Sequence, residues 1–128
     1  MGGSLTSGPT DDLGALDYCY LTTVGRVSGD AHEIEIWFAL HDGVLYLLSG
    51  GREGSDWVKN LRANADVTVR IGAESRAARA RMVTRPDEDE PARRLLVEKY
   101  RPRYSGDLDE WGRTSLPVAV GWNDGAVV

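Results

Sequence analysis

The chain has few of the residues that bind metals or form disulfides. Among its 128 residues there is one cysteine, Cys19, and there are two histidines, His32 and His41. A single cysteine excludes an intramolecular disulfide, and the histidines have no carboxylate or cysteine partners at the spacing of metal ligands. The sequence therefore predicts no metal site. A single cysteine is compatible with a protein of the cytoplasm, where thiols stay reduced, and we expect a cytoplasmic location.

Long apolar runs and an excess of positive charge are also missing. No run approaches the roughly 20 apolar residues that a membrane-spanning helix needs, so we expect no integral membrane segment. The 15 basic side chains are outnumbered by 20 acidic ones, which gives a formal net charge of −5. This balance argues against nucleic-acid binding and requires any anion site to be local.

The standard motifs of nucleotide binding and hydrolysis are absent as well. No GxGxxG follows a predicted strand, no GxxxxGK[ST] occurs, and no serine sits in a GxSxG elbow. The redox-active side chains amount to Cys19 alone. An enzyme of electron chemistry with this sequence would therefore need a cofactor to carry the reaction.

Short strands separated by glycine-rich turns make up most of the chain. Apolar and β-branched segments predict strands at 18–24, 32–40, 44–49, 67–71, 76–83 and 116–122. Helical spacing predicts a short helix that begins at Ser55 or Asp56. It predicts a longer helix from Asp87 to Tyr100, with Asp87 and Glu90 forming a capping box.

The arrangement of these elements predicts an antiparallel barrel rather than alternating βαβ units. The links inside the hairpins are short, and the Asp-Gly pair at Asp42 is a strong hairpin signal. A chain of this length predicts one domain over residues 1–128, with residues 1–10 as a flexible lead-in.

Two glycine-rich loops are candidate binding elements. The loop from Gly25 to Gly29, GRVSG, fits either a plain hairpin loop or a phosphate-binding turn. In the second interpretation the glycines let backbone N–H groups converge, Ser28 adds a hydroxyl, and Arg26 adds a fork-shaped charge. The second loop, Ser49 to Gly51, is followed by Trp57, which either packs in the core or lines a pocket.

Aromatic residues give two further ambiguous signals. The segment from His32 to Ile36 alternates charged and apolar residues, which is typical of a half-buried strand, but the alternation breaks at Trp37. The exposed face there either ends or becomes a groove. Near the C-terminus, Tyr100, Tyr104 and Trp111 either pack in the core or form a lid over a flat ligand.

Several blocks of sequence, in their order and spacing, resemble a known family. The blocks are LTTVGRxSG at 21–29, SGG at 49–51, DWxxNLxANxxVxV at 56–69 and WxxTxLPV at 111–118. Together they resemble the deazaflavin-dependent nitroreductases, also called F420H(2)-dependent quinone reductases, over about residues 18–120. F420 is the name of a cofactor, an 8-hydroxy-5-deazaflavin.

The resemblance implies a fold and an activity. The fold would be a split β-barrel like that of the FMN-binding pyridoxamine-phosphate oxidases, with about six antiparallel strands and two to four short helices packed around it. The protein would be an oxidoreductase that uses reduced coenzyme F420 to pass a hydride to a quinone, an enone or a nitro compound. Two alternatives stay open: an FMN-binding split-barrel oxidoreductase, and a binding protein of the same fold without turnover. The acceptor is a small molecule in the first two cases, and both a monomer and a homodimer are compatible with the sequence.

Matching the motifs position by position also implies site residues. Tyr104, near the substrate mouth, and Ser49 are the candidate catalytic residues. The loop residues would hold the phosphate end of the cofactor, and the strand from His32 would run beneath its ring system. The chain departs from the family pattern at Val27, where the family usually has a lysine or arginine. The full set of candidate cofactor-binding residues is Arg26, Val27, Ser28, His32, Glu33, Ile34, Glu35, Ile36, Trp37, Leu47, Leu48, Ser49, Gly50, Trp57, Val58, Lys59 and Asn60.

Overall fold

One antiparallel sheet organises the computed structural model, which describes residues 11–104 and 106–123. The predicted lead-in, residues 1–10, lies outside the described residues. The sheet has seven strands in the order β2-β1-β5-β6-β7-β4-β3. They are β1 (Cys19–Val24), β2 (Ala31–Ile36), β3 (Ala39–His41), β4 (Val44–Ser49), β5 (Asp66–Ile71), β6 (Glu74–Met82) and β7 (Leu116–Trp122). The helices are α1 (Asp11–Gly14), α2 (Asp56–Ala63), α3 (Pro86–Tyr100) and α4 (Leu108–Thr114).

The prediction of a split barrel of antiparallel strands is confirmed. Every neighbouring pair of strands is antiparallel, and the sheet curls into a half-barrel. The strand count is seven because the predicted strand 32–40 is divided into β2 and β3. The division falls at Trp37 and Phe38, where the alternation of the sequence breaks.

A buried cluster lies on each face of the sheet, and β4 and β7 take part in both. Successive residues of these two strands alternate between the clusters, as in Leu47 and Leu48. The cluster inside the curl also receives Leu61 from α2. The cluster on the other face is covered by α3 and α4, which contribute Leu96 and Leu108. The prediction that β4 is buried on both faces is therefore confirmed.

Local residue types determine the backbone conformation at the hairpin turn between β3 and β4 and at the start of α3. Asp42 and Gly43 both have positive φ values, 51° and 78°, as a type I′ hairpin turn requires.

The predicted capping box at Asp87 is wrong. The helix begins one residue earlier because Pro86, whose fixed φ suits the first helical position, stands there. The carboxylate of Asp87 instead accepts hydrogen bonds from Arg85, at 2.6 and 3.1 Å.

The C-terminal end of α3 holds the break between β2 and β3. The Tyr100 hydroxyl accepts a hydrogen bond from the Phe38 N–H at 3.0 Å and donates to the Asp17 carbonyl at 2.7 Å. Lys99 Nζ donates to the Phe38 carbonyl at 2.8 Å and lies 3.7 Å from the centre of the Phe38 ring. Burial lowers the pKa of Lys99 to about 8. Side chains from α3 therefore replace the strand partner that Phe38 lacks.

We predict that Tyr100→Phe destabilises the fold. The change removes the hydroxyl and leaves the buried Phe38 N–H without an acceptor, which costs about 1–3 kcal/mol of unfolding free energy. Urea unfolding followed by circular dichroism measures the loss. The matched control is Tyr104→Phe, because that side chain is 51% exposed and its change should stay within about 0.5 kcal/mol. Equal losses in the two variants would contradict the role assigned to Tyr100.

Candidate functional site

A cleft of about 610 Å³ opens between the glycine loop, the start of β2 and α2. This volume lies within the usual range of small-molecule sites. The predicted site residues that line it are Arg26, Val27, Ser28, His32, Glu33, Ile34, Trp57 and Asn60. Gly25 lines it as the first residue of the predicted glycine loop, and the lining residues that the sequence analysis missed are Thr23, Ala31 and Asp56. The cleft therefore brings together two of the motif blocks, the glycine loop and the DWxxN segment.

The buried side chain of Asn60 joins the elements of the cleft. Its Oδ1 accepts hydrogen bonds from the Arg26 backbone N–H at 3.2 Å and from Arg26 Nη1 at 2.8 Å. Its Nδ2 donates to Thr23 Oγ1 at 3.2 Å. Asn60 and Thr23 are 4% and 1% exposed, so water does not compete with these bonds. One amide thus fixes α2 to the end of β1 and to the first residues of the glycine loop.

The glycine loop is a hairpin loop whose outer amides are unused. Gly25 N–H donates to the Asp30 carbonyl at 2.7 Å, and Gly29 N–H donates to the Gly25 carbonyl at 2.9 Å. Ser28 Oγ accepts from the Asp30 N–H at 3.1 Å, which leaves its own hydrogen available. Among the described residues, none accepts a hydrogen bond from the amides of Val27 or Ser28. These donors suit an anion.

Gly25 lies close to two side chains of the cleft where the loop leaves β1. A Cβ placed on Gly25 would lie 2.7 Å from Nε2 of His32 and 3.0 Å from Oγ of Ser28. A side chain at this position would therefore push His32 or Ser28 out of the cleft wall. The absence of a side chain at Gly25 therefore leaves both of these side chains free to line the cleft.

The charge of the cleft is carried by three side chains. Arg26 is the one lysine or arginine among the lining residues, whereas Asp56 and Glu33 are both acidic. Arg26 Nη2 lies 3.3 Å from Oδ1 of Asp56, and the two side chains are 35% and 86% exposed. Glu33 Oε2 lies 4.0 Å from Nη2 of Arg70, outside the lining. With His32 neutral, the lining carries a net formal charge of −1.

The other cations near these elements have different partners or positions. Arg52 donates to the Thr114 carbonyl and Arg79 Nη1 donates to Asp66 at 2.8 Å. Lys59 is exposed on α2 and does not line the cleft. Arg26 is therefore the cation that the cleft offers to an anionic ligand.

The remaining predicted site residues do not line the cleft; they are Glu35, Ile36, Trp37, Leu47, Leu48, Ser49, Gly50, Val58, Lys59 and Tyr104. The side chains of Leu47, Leu48 and Val58 belong to the buried core, at most 4% exposed. Glu35 accepts a hydrogen bond from the Tyr20 hydroxyl at 2.6 Å, which raises the pKa of Tyr20.

The candidate catalytic residue Ser49 is buried at 1% exposure. Its Oγ donates to the Arg52 carbonyl at 3.0 Å and lies 2.7 Å from Oγ of Ser55. These contacts close the loop between β4 and α2. A catalytic role for Ser49 stays a prediction.

The other candidate catalytic residue, Tyr104, belongs to an aromatic cluster centred on Trp37. The Trp37 ring stacks on Tyr100 with a centroid distance of 4.1 Å and an interplanar angle of 4°. Tyr104 and Trp111 approach Trp37 edge-on at 5.5 and 5.4 Å. Tyr104 is 51% exposed, so its ring and hydroxyl are accessible at the surface. The predicted catalytic role of Tyr104 stays a prediction.

Cys19 is the chain's one thiol, and it lies in the core. It is 0% exposed, and burial raises its pKa to about 12. The thiol is therefore neutral at physiological pH and out of contact with solvent.

Within residues 11–104 and 106–123, no three histidine, cysteine, aspartate or glutamate side chains are grouped to hold a metal ion. None of the helices described is both long and apolar enough to span a bilayer.

Solved structures support the split-barrel fold. An F420-H2 dependent reductase is similar at 22% identity with a TM-score of 0.65, covering 81% of this chain and 92% of that one. A FAD-binding protein from Mesorhizobium loti is similar at 15% identity with a TM-score of 0.62, covering 87% and 84%. A structure described as a domain-swapped dimer is similar at 26% identity with a TM-score of 0.61, covering 93% and 91%.

The family is settled by a match over nearly the whole sequence. A search of curated proteins found no match to this chain. The sequence model of the F420H(2)-dependent quinone reductases, by contrast, matches residues 6–123. This match confirms the resemblance carried by the glycine loop, the SGG loop and the DWxxN segment. The chain belongs to the F420H(2)-dependent quinone reductase family, and it is an F420-dependent oxidoreductase.

Proposed function

We propose that this protein binds reduced coenzyme F420 in the cleft between the glycine loop and α2 and transfers a hydride to a quinone. Enones and nitro compounds are further acceptors of the same electrophilic kind. One observation carries the proposal: the mouth of the cleft gathers donors for a phosphate group. They are the guanidinium of Arg26, the hydroxyl of Ser28, and the backbone amides of Val27 and Ser28. These two amides donate to no acceptor among the described residues.

These residues fit the phosphate-bearing side chain of a deazaflavin. Converging backbone amides with one arginine form a common phosphate cradle. The cleft of about 610 Å³ also has room for part of a flat ring system. Trp57, half-buried against the inner core, and Ile34, half-buried on β2, give this space apolar walls. The donor set and the walls therefore match the two chemically distinct ends of the cofactor.

Each part of the chain has its own task in the proposed reaction. The bound reduced cofactor supplies the hydride. Arg26 and the loop amides hold the phosphate end, and Asn60 keeps Arg26 in place through its two hydrogen bonds. The exposed edge of the aromatic cluster at Tyr104 contacts the acceptor, and its hydroxyl donates the proton that a quinone oxygen needs after hydride transfer. Ser49 positions the loop before α2.

Two predicted alternatives are separated by binding and turnover. FMN also carries a phosphate on a flexible chain, so the same donors fit it. A binding protein would hold the cofactor without passing on its hydride.

The domain-swapped relative supports a homodimer as the assembly to test first. The cytoplasmic location, the single domain over residues 1–128 and the absence of nucleic-acid binding stay predictions.

Turnover provides the first test. We expect the purified protein to oxidise reduced F420 when menadione is added, with a rate that saturates in both substrates. The returning visible absorption of the oxidised cofactor measures the reaction. A nitroaromatic and an enone are tested in parallel, and reduced FMN replaces reduced F420 in the control. Tight F420 binding without oxidation by any acceptor would contradict the enzyme, and preference for FMN would contradict the cofactor.

Removing the guanidinium provides the second test. Arg26→Ala should weaken F420 binding about tenfold to a hundredfold, because a charge-assisted hydrogen bond contributes about 1.5–3 kcal/mol. Fluorescence titration measures the affinity, and urea unfolding checks that the variant remains folded. Arg62→Ala, on the same helix as Asn60 but outside the cleft, is the matched control and should bind normally.

The same titration has a gain-of-charge arm. Val27 is 94% exposed beside Arg26, so Val27→Lys adds a cation without disturbing the core. Binding should tighten, and more strongly at low salt.

One outcome of these titrations would contradict the phosphate role of the loop. Arg26→Ala would bind F420 as well as the wild type does, while Trp57→Ala would abolish binding.

A further inference from the structure

A carboxylate at the mouth of the cleft competes for the guanidinium that the proposed function assigns to the phosphate. Asp56 Oδ1 lies 3.3 Å from Arg26 Nη2, and the Asp56 carbonyl lies 3.5 Å from Arg26 Nη1. Asp56 begins α2, directly before Trp57. An arriving anion therefore meets an arginine that already has a negative partner.

The two partners of Arg26 differ in how firmly they are held. Asn60 is buried and uses both of its polar atoms within the protein, so its bonds to Arg26 persist when a ligand binds. The side chain of Asp56 is 86% exposed and has no other partner among the described residues. Exposed ion pairs are weak because water and salt screen them. Asp56 is therefore the exchangeable partner.

The charge of the lining makes this exchange matter for affinity. Arg26 is opposed by Asp56 and Glu33, and a phosphate diester would add a third negative group. Of the two carboxylates, only Asp56 contacts Arg26; Glu33 lies beside Arg70. A phosphate oxygen that binds Nη2 would lie beside the Asp56 carboxylate, and two negative groups at one guanidinium nitrogen repel each other.

We propose that Asp56 is an exchangeable counter-ion that holds Arg26 in the unliganded cleft and lowers its affinity for a phosphate ester. Binding moves the carboxylate away from Arg26 and places a phosphate oxygen on Nη2, while Asn60 keeps the guanidinium in position. Asp56 thus sets the affinity of the cleft for its ligand. The inference takes the F420 phosphate as the ligand and to that extent rests on the proposed function.

Neutralising the carboxylate tests the inference. Asp56→Asn should tighten F420 binding roughly threefold to tenfold at low salt, and the gain should shrink as salt rises. Glu53→Gln is the matched control, because it removes a carboxylate three residues before Asp56 that lies outside the lining and is paired with Arg52 rather than with Arg26. Its effect should stay within about twofold. Asp56→Ser removes the same charge and keeps a good residue at the helix start, in case Asp56→Asn does not fold.

Three probes separate the possible outcomes. They are F420, the deazaflavin riboside that lacks the phosphate, and inorganic pyrophosphate, with fluorescence titration for the first two and calorimetry for the third. We expect Asp56→Asn to bind F420 and pyrophosphate more tightly and the riboside unchanged. Unchanged binding of the anions, equal tightening of the riboside, or equal tightening by Glu53→Gln would each overturn the inference. When no protein binds F420 but Asp56→Asn binds pyrophosphate more tightly, the proposed function fails and the inference stands.

Discussion

The buried amide of Asn60 is the constraint on which the cleft depends. An amide offers both a donor and an acceptor, and this one uses both, on Thr23 and on Arg26. A buried polar group destabilises the fold unless it is paired, so these hydrogen bonds favour the observed arrangement. Because these partners belong to β1 and the glycine loop, α2 cannot move without moving the loop. The position of Arg26 is therefore fixed by the core, whereas the Asp56 carboxylate on the same helix is exposed to solvent.

The strand β2 joins the cleft to the aromatic cluster centred on Trp37. β2, which forms one wall of the cleft, continues into Trp37 and Phe38, and both are held by the end of α3. Tyr104 follows α3 closely in sequence and contacts Trp37. One wall of the cleft and the aromatic cluster around Trp37 thus share one segment of backbone.

The sequence predicted features that depend on neighbouring residues. The bounds of β4 and β7 and the turn at Asp42 follow from alternation and turn chemistry, and they are confirmed. The interruption at Trp37 was visible as a break in alternation. Its cause was not, because Tyr100 lies 62 residues from Phe38. Periodicity cannot detect such pairs, nor the pairing of Arg26 with Asp56, which are 30 residues apart.

The most direct test of the account is a crystal structure of the protein with F420 bound. In this structure we expect a phosphate oxygen within hydrogen-bond distance of Arg26 and of the Val27 and Ser28 amides. We expect the Asp56 carboxylate to have left Arg26, while both hydrogen bonds from Arg26 to Asn60 remain. A phosphate bound away from the glycine loop would contradict the account, as would an Arg26–Asp56 pair still at 3.3 Å with the cofactor in place.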